Sequence, residues 1–225
     1  IKLTPPLILS ILPDSFTLTR QTSMNQTKID HVYTLALQHQ HSLDALRLLQ
    51  PMRHHSIETY EHTLRVCLLS YSFGLYLGFD AEQLELIFDS ALVHDLGKLK
   101  TPGNILHKNG KLTPIERQLM NKHVEESYIM SKHVSELELA SILGALHHER
   151  WDGNGYPLRL KGEETPLIGQ VLALIDTWDA MTSTRAYRTG MPTDKALRIL
   201  FNERSEGQFN PSLVDKFITF ITTIK

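Results

Sequence analysis

The chain has 225 residues, 41% hydrophobic and 21% charged, with a formal net charge of −2 and one cysteine, Cys67. A core of this length buries roughly 70% of the unfolded surface without staples, and the composition excludes a disordered tail, a collagen-like fibre and a globally basic coat for a DNA or RNA duplex. The lone cysteine excludes an internal disulfide and a thiolate-rich zinc finger, and no apolar run approaches the ~20 residues of a membrane span. No basic region followed by an apolar run opens the chain, so no signal peptide and a cytoplasmic location are expected. Because the first residue is Ile1 rather than Met, an upstream segment such as a regulatory domain is expected as well.

In chain order, residues 1–24 mix Pro5, Pro6 and Pro13 with the apolar run Leu7-Ile8-Leu9, which argues only against one continuous helix. From about Asn25 to Leu49, apolar residues from Ile29 to Leu49 recur at helical spacing, and Pro51 ends the pattern. This helix suits either a homodimer contact or packing on the chain's own core. Ile57 to Leu77 is predicted helical, with Gly78 after it and Asp80 as N-cap of the next helix, to about Leu96. A loop follows through Pro102, Gly103, Asn109 and Gly110. Thr113-Pro114-Ile115-Glu116 reads as a capping box opening a helix to about His133, and Ser135-Glu136-Leu137-Glu138 as a second one opening a helix to about His148. After a glycine-rich loop from Asp152 to Pro166, helices are expected over 167–181, 193–202 and 212–221. No hairpin dipeptide separates alternating runs, so the fold class is all-α. Residues 1–50 form an N-terminal segment with a linker or dimerisation helix, and residues 51–225 the catalytic unit.

Twelve histidines are many for a near-neutral chain, and their placement carries the chemistry. Glu58 and His62 lie four apart on one helical face, His94-Asp95 precedes Gly97, and His123 lies within a helix. His147-His148 stand at a helix end, and Asp176 follows the apolar run Val171 to Ile175. A carboxylate in such a run is costly unless a cation meets it. Five imidazoles and three carboxylates without sulfur suit Fe or Mn, with Zn, Ni or Co as alternatives, and exceed the needs of one ion. Two or three divalent ions sharing a bridging carboxylate are therefore expected. Each of these histidines alone has an ordinary structural explanation, whereas the ordered set does not. Cys67 reads as a buried residue, and His31, His39, His41, His54, His55, His107 and His133 receive no role.

The segments His94-Asp95-Leu96-Gly97-Lys98, Pro102 to Leu106 with Lys108, Gly110, Leu112 and Glu116, His147-His148-Glu149, Asp152-Gly153-Asn154-Gly155-Tyr156-Pro157, Asp176 to Ala180 and Arg185-Ala186-Tyr187-Arg188 stand in one order. That set resembles the HD-GYP family, the branch of the HD metal-phosphohydrolases that degrades cyclic dinucleotides. The resemblance runs from about Ser56 to Phe220 and implies a helical bundle with a multinuclear metal site in its core. It implies Glu58, His62, His94, Asp95, His123, His147, His148 and Asp176 as metal ligands, with Asp95 bridging and Glu58 marking a three-metal type. Lys98 and Asp95 are the implied catalytic residues, and Lys98, Arg185 and Arg188 the implied substrate contacts. Asp152, Gly153, Gly155, Tyr156 and Pro157 form a loop expected to be structural, with both glycines at positive φ. Asp152 and Asp179 are expected to orient neighbouring groups. The pattern departs at Arg159 (usually Gly), Thr165 (Ile), Gln170 (Arg) and Ala186 (Pro), which touches loop conformation and substrate preference rather than the ligand set. The implied function is metal-dependent hydrolysis of a cyclic dinucleotide, cyclic di-GMP or 3′,3′-cyclic GMP-AMP, to the linear dinucleotide or onward to mononucleotides. Alternatives are a catalytically silent sensor of such a ligand and a general HD-type nucleotide phosphohydrolase.

Overall fold

The computed structural model of the chain describes residues 24–184 and 189–223; the opening segment and the predicted contacts Arg185 and Arg188 lie outside the described residues. Among the described residues the fold is all-α, with one isolated bridge between Asp152 and Lys161. The helices are α1 (Gln26–Ala36), α2 (Gln40–Leu49), α3 (Met52–His55), α4 (Ile57–Leu77), α5 (Ala81–Val93) and α6 (Gly103–Leu106). They continue with α7 (Pro114–Asn121), α8 (His123–Ser131), α9 (Glu138–Gly144), α10 (Leu167–Thr182), α11 (Thr193–Glu206) and α12 (Pro211–Thr223).

The long central pair α4 and α5 forms the spine, because their ends are strongly specified. Ser56 accepts from the Thr59 N–H to open α4, and Gly78 closes it in left-handed backbone at φ 82°. Asp80 and Gln83 make a reciprocal capping box that starts α5. α10 packs on α4, α2 and α9 pack on α5, and the turn after α5 packs on α8. α12 braces the far side, where Phe217 meets Phe73 and Trp178 edge-on at 5.1 and 5.4 Å between ring centres. Trp178 is therefore a core residue.

Several helices differ from the predicted spans, each time through a long-range contact. The single helix expected over 25–49 is two, because His39 adopts extended backbone (φ −138°, ψ 131°) where its ring and that of His41 turn onto Glu85 of α5. Val32, Leu35, Ala36, Leu46 and Leu49 of this pair belong to the common core. α5 stops at Val93 rather than Leu96, and Leu96–Lys100 forms a 3₁₀ turn. Residues 103–106 of the expected loop are the short helix α6. The Thr113 capping box forms, but its helix breaks at Lys122 and restarts at His123. The second box does not form. The Ser135 hydroxyl donates to Glu136 instead, residues 135–137 tighten into 3₁₀, and α9 ends at Gly144, short of His148.

Candidate metal centre

Three helix ends converge on one buried point, and each delivers a histidine in the same way. His94 Nδ1 donates to Ala91 O at 2.7 Å in the last turn of α5, His123 Nδ1 to Met120 O at 2.6 Å in α7, and His147 Nδ1 to Gly144 O at 2.6 Å in α9. The last carbonyls of a helix lack intrahelical donors, so the ring satisfies an acceptor and stops the helix at once. A carbonyl partner requires Nδ1–H, which leaves the Nε2 lone pair aimed inward. The same helix ends favour positive charge.

Asp95 occupies the centre and is fully buried. Its Oδ2 lies 3.6 Å from His62 Nε2 and 3.4 Å from His94 Nε2, while its Oδ1 lies 3.4 Å from His123 Nε2 and 3.9 Å from His147 Nε2. One carboxylate thus presents an oxygen to each of two imidazole pairs. The donors fall into overlapping, closely spaced groups: His62, His94 and Asp176; His94, Asp95 and His147; and His123, His147 and His148. Lys98 Nζ binds Asp95 Oδ2 at 2.5 Å.

His62 is steered from behind. Its Nδ1 lies 2.6 Å from Asp179 Oδ2, and Asp179 is gripped by Arg65 (Nε 2.7 Å, Nη2 3.0 Å) and by the Ser183 hydroxyl at 2.8 Å. Asp179 thus orients a site residue as expected, whereas Arg65 had no part in the sequence reading. His62 Nε2 is 2.9 Å from Asp176 Oδ1, yet the two are not aligned as a hydrogen bond.

Burial drives most of the titration behaviour. It pushes His123 and His147 down to about 4 and holds His94 and His148 below the usual imidazole range, so all four are neutral donors at pH 7. Burial also opposes the charge on His62, but Asp176 and Asp179 outweigh it and hold this ring above its ordinary value. Asp95 is buried too, and Lys98 followed by the surrounding imidazoles keeps its carboxyl well below the carboxylate range. Burial opposes the charge on Asp176 as well, but the close His62 ring, followed by His147 and His94, outweighs it and holds this carboxyl below the carboxylate range.

The fit to metal ions rests on three buried atoms. His62 Nε2, His94 Nε2 and Asp95 Oδ1 are shielded from solvent without a hydrogen-bond partner, and all three point into the same centre. Buried polar atoms without a partner are rare in folded proteins, and three of them converging on one point fit an ion. A sulfur-free set of imidazoles and ionised carboxylates suits divalent ions.

A cavity of about 380 Å³ opens beside this centre, lined by Glu58, His62, Lys98, His123, His148 and Asp176 among others. Glu58 is half-buried on its wall but stands outside the closely spaced donor groups. Lys108 and Arg117 also line it, and sequence reasoning gave neither a role. Lys108 is held by both oxygens of Glu116 at 2.8 and 2.6 Å, while Arg117 follows no motif that could have flagged it.

The loop after His148 is anchored by Glu149, another residue without a predicted role. Its buried carboxylate accepts the N–H groups of Leu158, Arg159 and Leu160 at 2.6, 3.1 and 3.0 Å. Gly153 takes positive φ (79°) as expected, but Gly155 does not; a Cβ there would lie 2.4 Å from Arg150 N, so Gly155 is required by close approach. That approach lays Tyr156 on His148, 4.7 Å between ring centres and 26° apart, ahead of a cis bond to Pro157. Burial, then Asp95 and Asp176, raise the Tyr156 hydroxyl and keep it protonated. Asp152 is paired with Arg150 at 2.8 Å and accepts from Asn154 N–H. Arg159, where the family pattern has glycine, adopts the left-handed backbone at φ 58°.

An HD domain family model matches residues 53–213, nearly three-quarters of the chain. The chain belongs to the HD domain family. Its relatives and motif order place it in the HD-GYP branch. It is 37% identical over 179 residues to a cyclic di-GMP phosphodiesterase of Thermotoga maritima, covering 78% of this chain and 48% of the relative. It is 36% identical over 162 residues to the 3′3′-cGAMP-specific phosphodiesterase 2 of Vibrio cholerae, covering 71% of this chain and 31% of the relative. The HD-GYP chain therefore spans half or less of the length of these curated relatives. In fold it is similar to Bd1817, a HDG"Y"P protein from Bdellovibrio bacteriovorus, with a TM-score of 0.58 at 20% identity over 72% of this chain and 52% of that one. Divalent-metal binding follows from the HD domain together with the clustered His and Asp groups. No helix among the described residues is long and apolar enough to cross a membrane.

Proposed function

We propose that this chain is a metal-dependent phosphodiesterase that opens a cyclic dinucleotide, cyclic di-GMP before 3′,3′-cyclic GMP-AMP, to the linear dinucleotide. The observation that carries the reading is Asp95, whose two oxygens face two separate imidazole pairs at 3.4–3.9 Å beside a cavity lined by lysine and arginine. That geometry suits a bridging carboxylate between two ions of Fe or Mn type. His62, His94 and Asp176 would hold one, and His123, His147 and His148 the other. Glu58, on the same wall, is the carboxylate available to a third.

Bound divalent ions supply Lewis acidity, which neutralises developing charge on phosphoryl oxygens and acidifies water. The chain's own residues prepare the rest. Asp179 and Arg65 lock the His62 ring, so its Nε2 faces the centre without rotation. Lys98, tethered by Asp95 at the cavity wall, offers a fixed ammonium to a phosphate oxygen. Arg117 adds a second cation on the wall for the other phosphate of a cyclic dinucleotide. Arg185 and Arg188 are assigned to the substrate on the motif alone. Glu149 and Gly155 hold the loop so that Tyr156 shields the His148 face from water.

The test is turnover by anaerobically Fe- or Mn-loaded protein of cyclic di-GMP, 3′,3′-cyclic GMP-AMP, deoxynucleoside triphosphates and mononucleotides. Faster cleavage of a cyclic dinucleotide, abolished in Asp95→Ala with helicity retained, supports the reading. Preferred cleavage of mononucleotides would defeat it, and a metal-loaded protein that binds cyclic dinucleotide without turnover is a sensor instead.

A further inference from the structure

A second set of metal donors lies on the opposite stretch of α5, in none of the motifs described above. His39 ends the joint between α1 and α2, and His41 follows two residues later in the first turn of α2. Both rings turn to Glu85 on α5. His39 Nδ1 lies 3.0 Å from Glu85 Oε1, and His41 Nε2 contacts the same oxygen. Donor atoms of the three residues all lie within 4.8 Å of one another. Behind them, one turn along α5, the buried Asp89 places Oδ2 3.2 Å from His41 Nε2 and accepts the Ser42 hydroxyl on Oδ1 at 2.5 Å.

Four features of this cluster describe a coordination site rather than a surface ion pair. Two imidazoles from a His-x-His turn approach one carboxylate oxygen, an arrangement with more nitrogen donors than a single acceptor needs. The donor set is nitrogen and oxygen without sulfur, which suits Zn²⁺ and its neighbours Co²⁺ and Ni²⁺. Tetrahedral ligands about 2.0–2.1 Å from a shared ion lie about 3.3 Å apart, near the 3.0 Å His39–Glu85 spacing, while His41 and Glu85 stand closer and would part to admit an ion. Finally, the two histidines and Glu85 are partly exposed, so an ion has a route from solvent, while Asp89 adds negative charge from the buried side.

We propose that His39, His41 and Glu85 form a second divalent-metal site of zinc type, which clamps the α1–α2 joint to α5. Glu85 precedes His94 by nine residues on a helix, about 13 Å along its axis, so this ion is separate from those of the central cavity. The site lies outside the residues matched to the HD domain on its histidine side and inside them on its glutamate side. Occupancy therefore ties the N-terminal hairpin to the helix that ends in His94 and Asp95.

The full chain, stripped with chelator and dialysed against Zn²⁺, is counted for bound zinc by mass spectrometry as wild type, as the double variant His39→Ala/His41→Ala, and as Glu85→Gln. Each variant is expected to hold one zinc ion fewer per chain than wild type, with unchanged helicity by circular dichroism. Should the double variant not fold, the near-isosteric Glu85→Gln carries the comparison. Equal zinc counts in wild type and the folded variants overturn the site. Neither outcome depends on turnover, so the phosphodiesterase reading stands or falls separately.

Discussion

Replacing Gly97 by alanine tests how the two halves of the metal centre are brought together. The turn after α5 presses against α8 so closely that a Cβ on Gly97 would lie 2.0 Å from His123 O, 2.6 Å from Ser127 N and 2.8 Å from Glu126 Cβ. A carbon–oxygen contact settles near about 3.3 Å, so the two segments must part by more than about 1 Å. The atoms met are mostly backbone, which cannot swing aside. Overpacking of this kind costs about 1–3 kcal/mol, and losing the 2.8 Å hydrogen bond from Gly97 N–H to Ser127 Oγ adds about 1 kcal/mol. The expected loss of stability is thus about 2–4 kcal/mol. Because His123 rides on the displaced segment, its distance to Asp95 grows, and affinity for metal should fall by roughly 10–100-fold. Urea denaturation and a Mn²⁺ titration read the two effects. Gly103→Ala, where a Cβ meets nothing within 4 Å, is the control and should change stability by less than about 0.5 kcal/mol. A Gly97→Ala protein with wild-type stability and metal affinity would refute this account of the close approach.

Other expected outcomes follow from the same geometry. His123 and His147 have folded pKa values of about 4, below the unfolded 6.5, so the unfolded chain binds more protons across that window. In chelator, stability should be fully present above pH 6.5 and decline as pH falls towards 4, by about 2 kcal/mol per histidine between pH 7 and 5; a flat urea midpoint over that range contradicts it. Glu149→Ala leaves three loop N–H groups without their carboxylate, with an expected loss of about 2–4 kcal/mol and faster hydrogen exchange at Leu158, Arg159 and Leu160. Arg159→Gly removes a side chain from left-handed backbone and should raise stability by about 1 kcal/mol, read as a higher melting temperature.

What the sequence disclosed was local. Asp80, Thr113 and Gly78 act on their own helix ends, and the capping and termination they signal are present. The four-residue spacing of Glu58 and His62 likewise puts both on one wall of the cavity. Features that join distant segments left no such trace. Arg65 meets Asp179 across 114 residues, and Glu149 reaches forward to a loop with nothing periodic between them. The breaks at His39 and Lys122 fall among residues of ordinary helical propensity, because contacts from α5 and the Leu96–Lys100 turn impose them. Ser135 shows the converse failure. The capping-box pattern is present, but a neighbouring Glu136 captures the hydroxyl.

The most direct measurement is the number of Mn²⁺ or Fe²⁺ ions held per chain by wild type and by Asp95→Ala under anaerobic loading. Two or more ions in wild type, with at least one lost when the shared carboxylate is removed and the helical spectrum is unchanged, is the predicted result. Retention of the full complement by Asp95→Ala would contradict the placing of Asp95 between the two imidazole pairs.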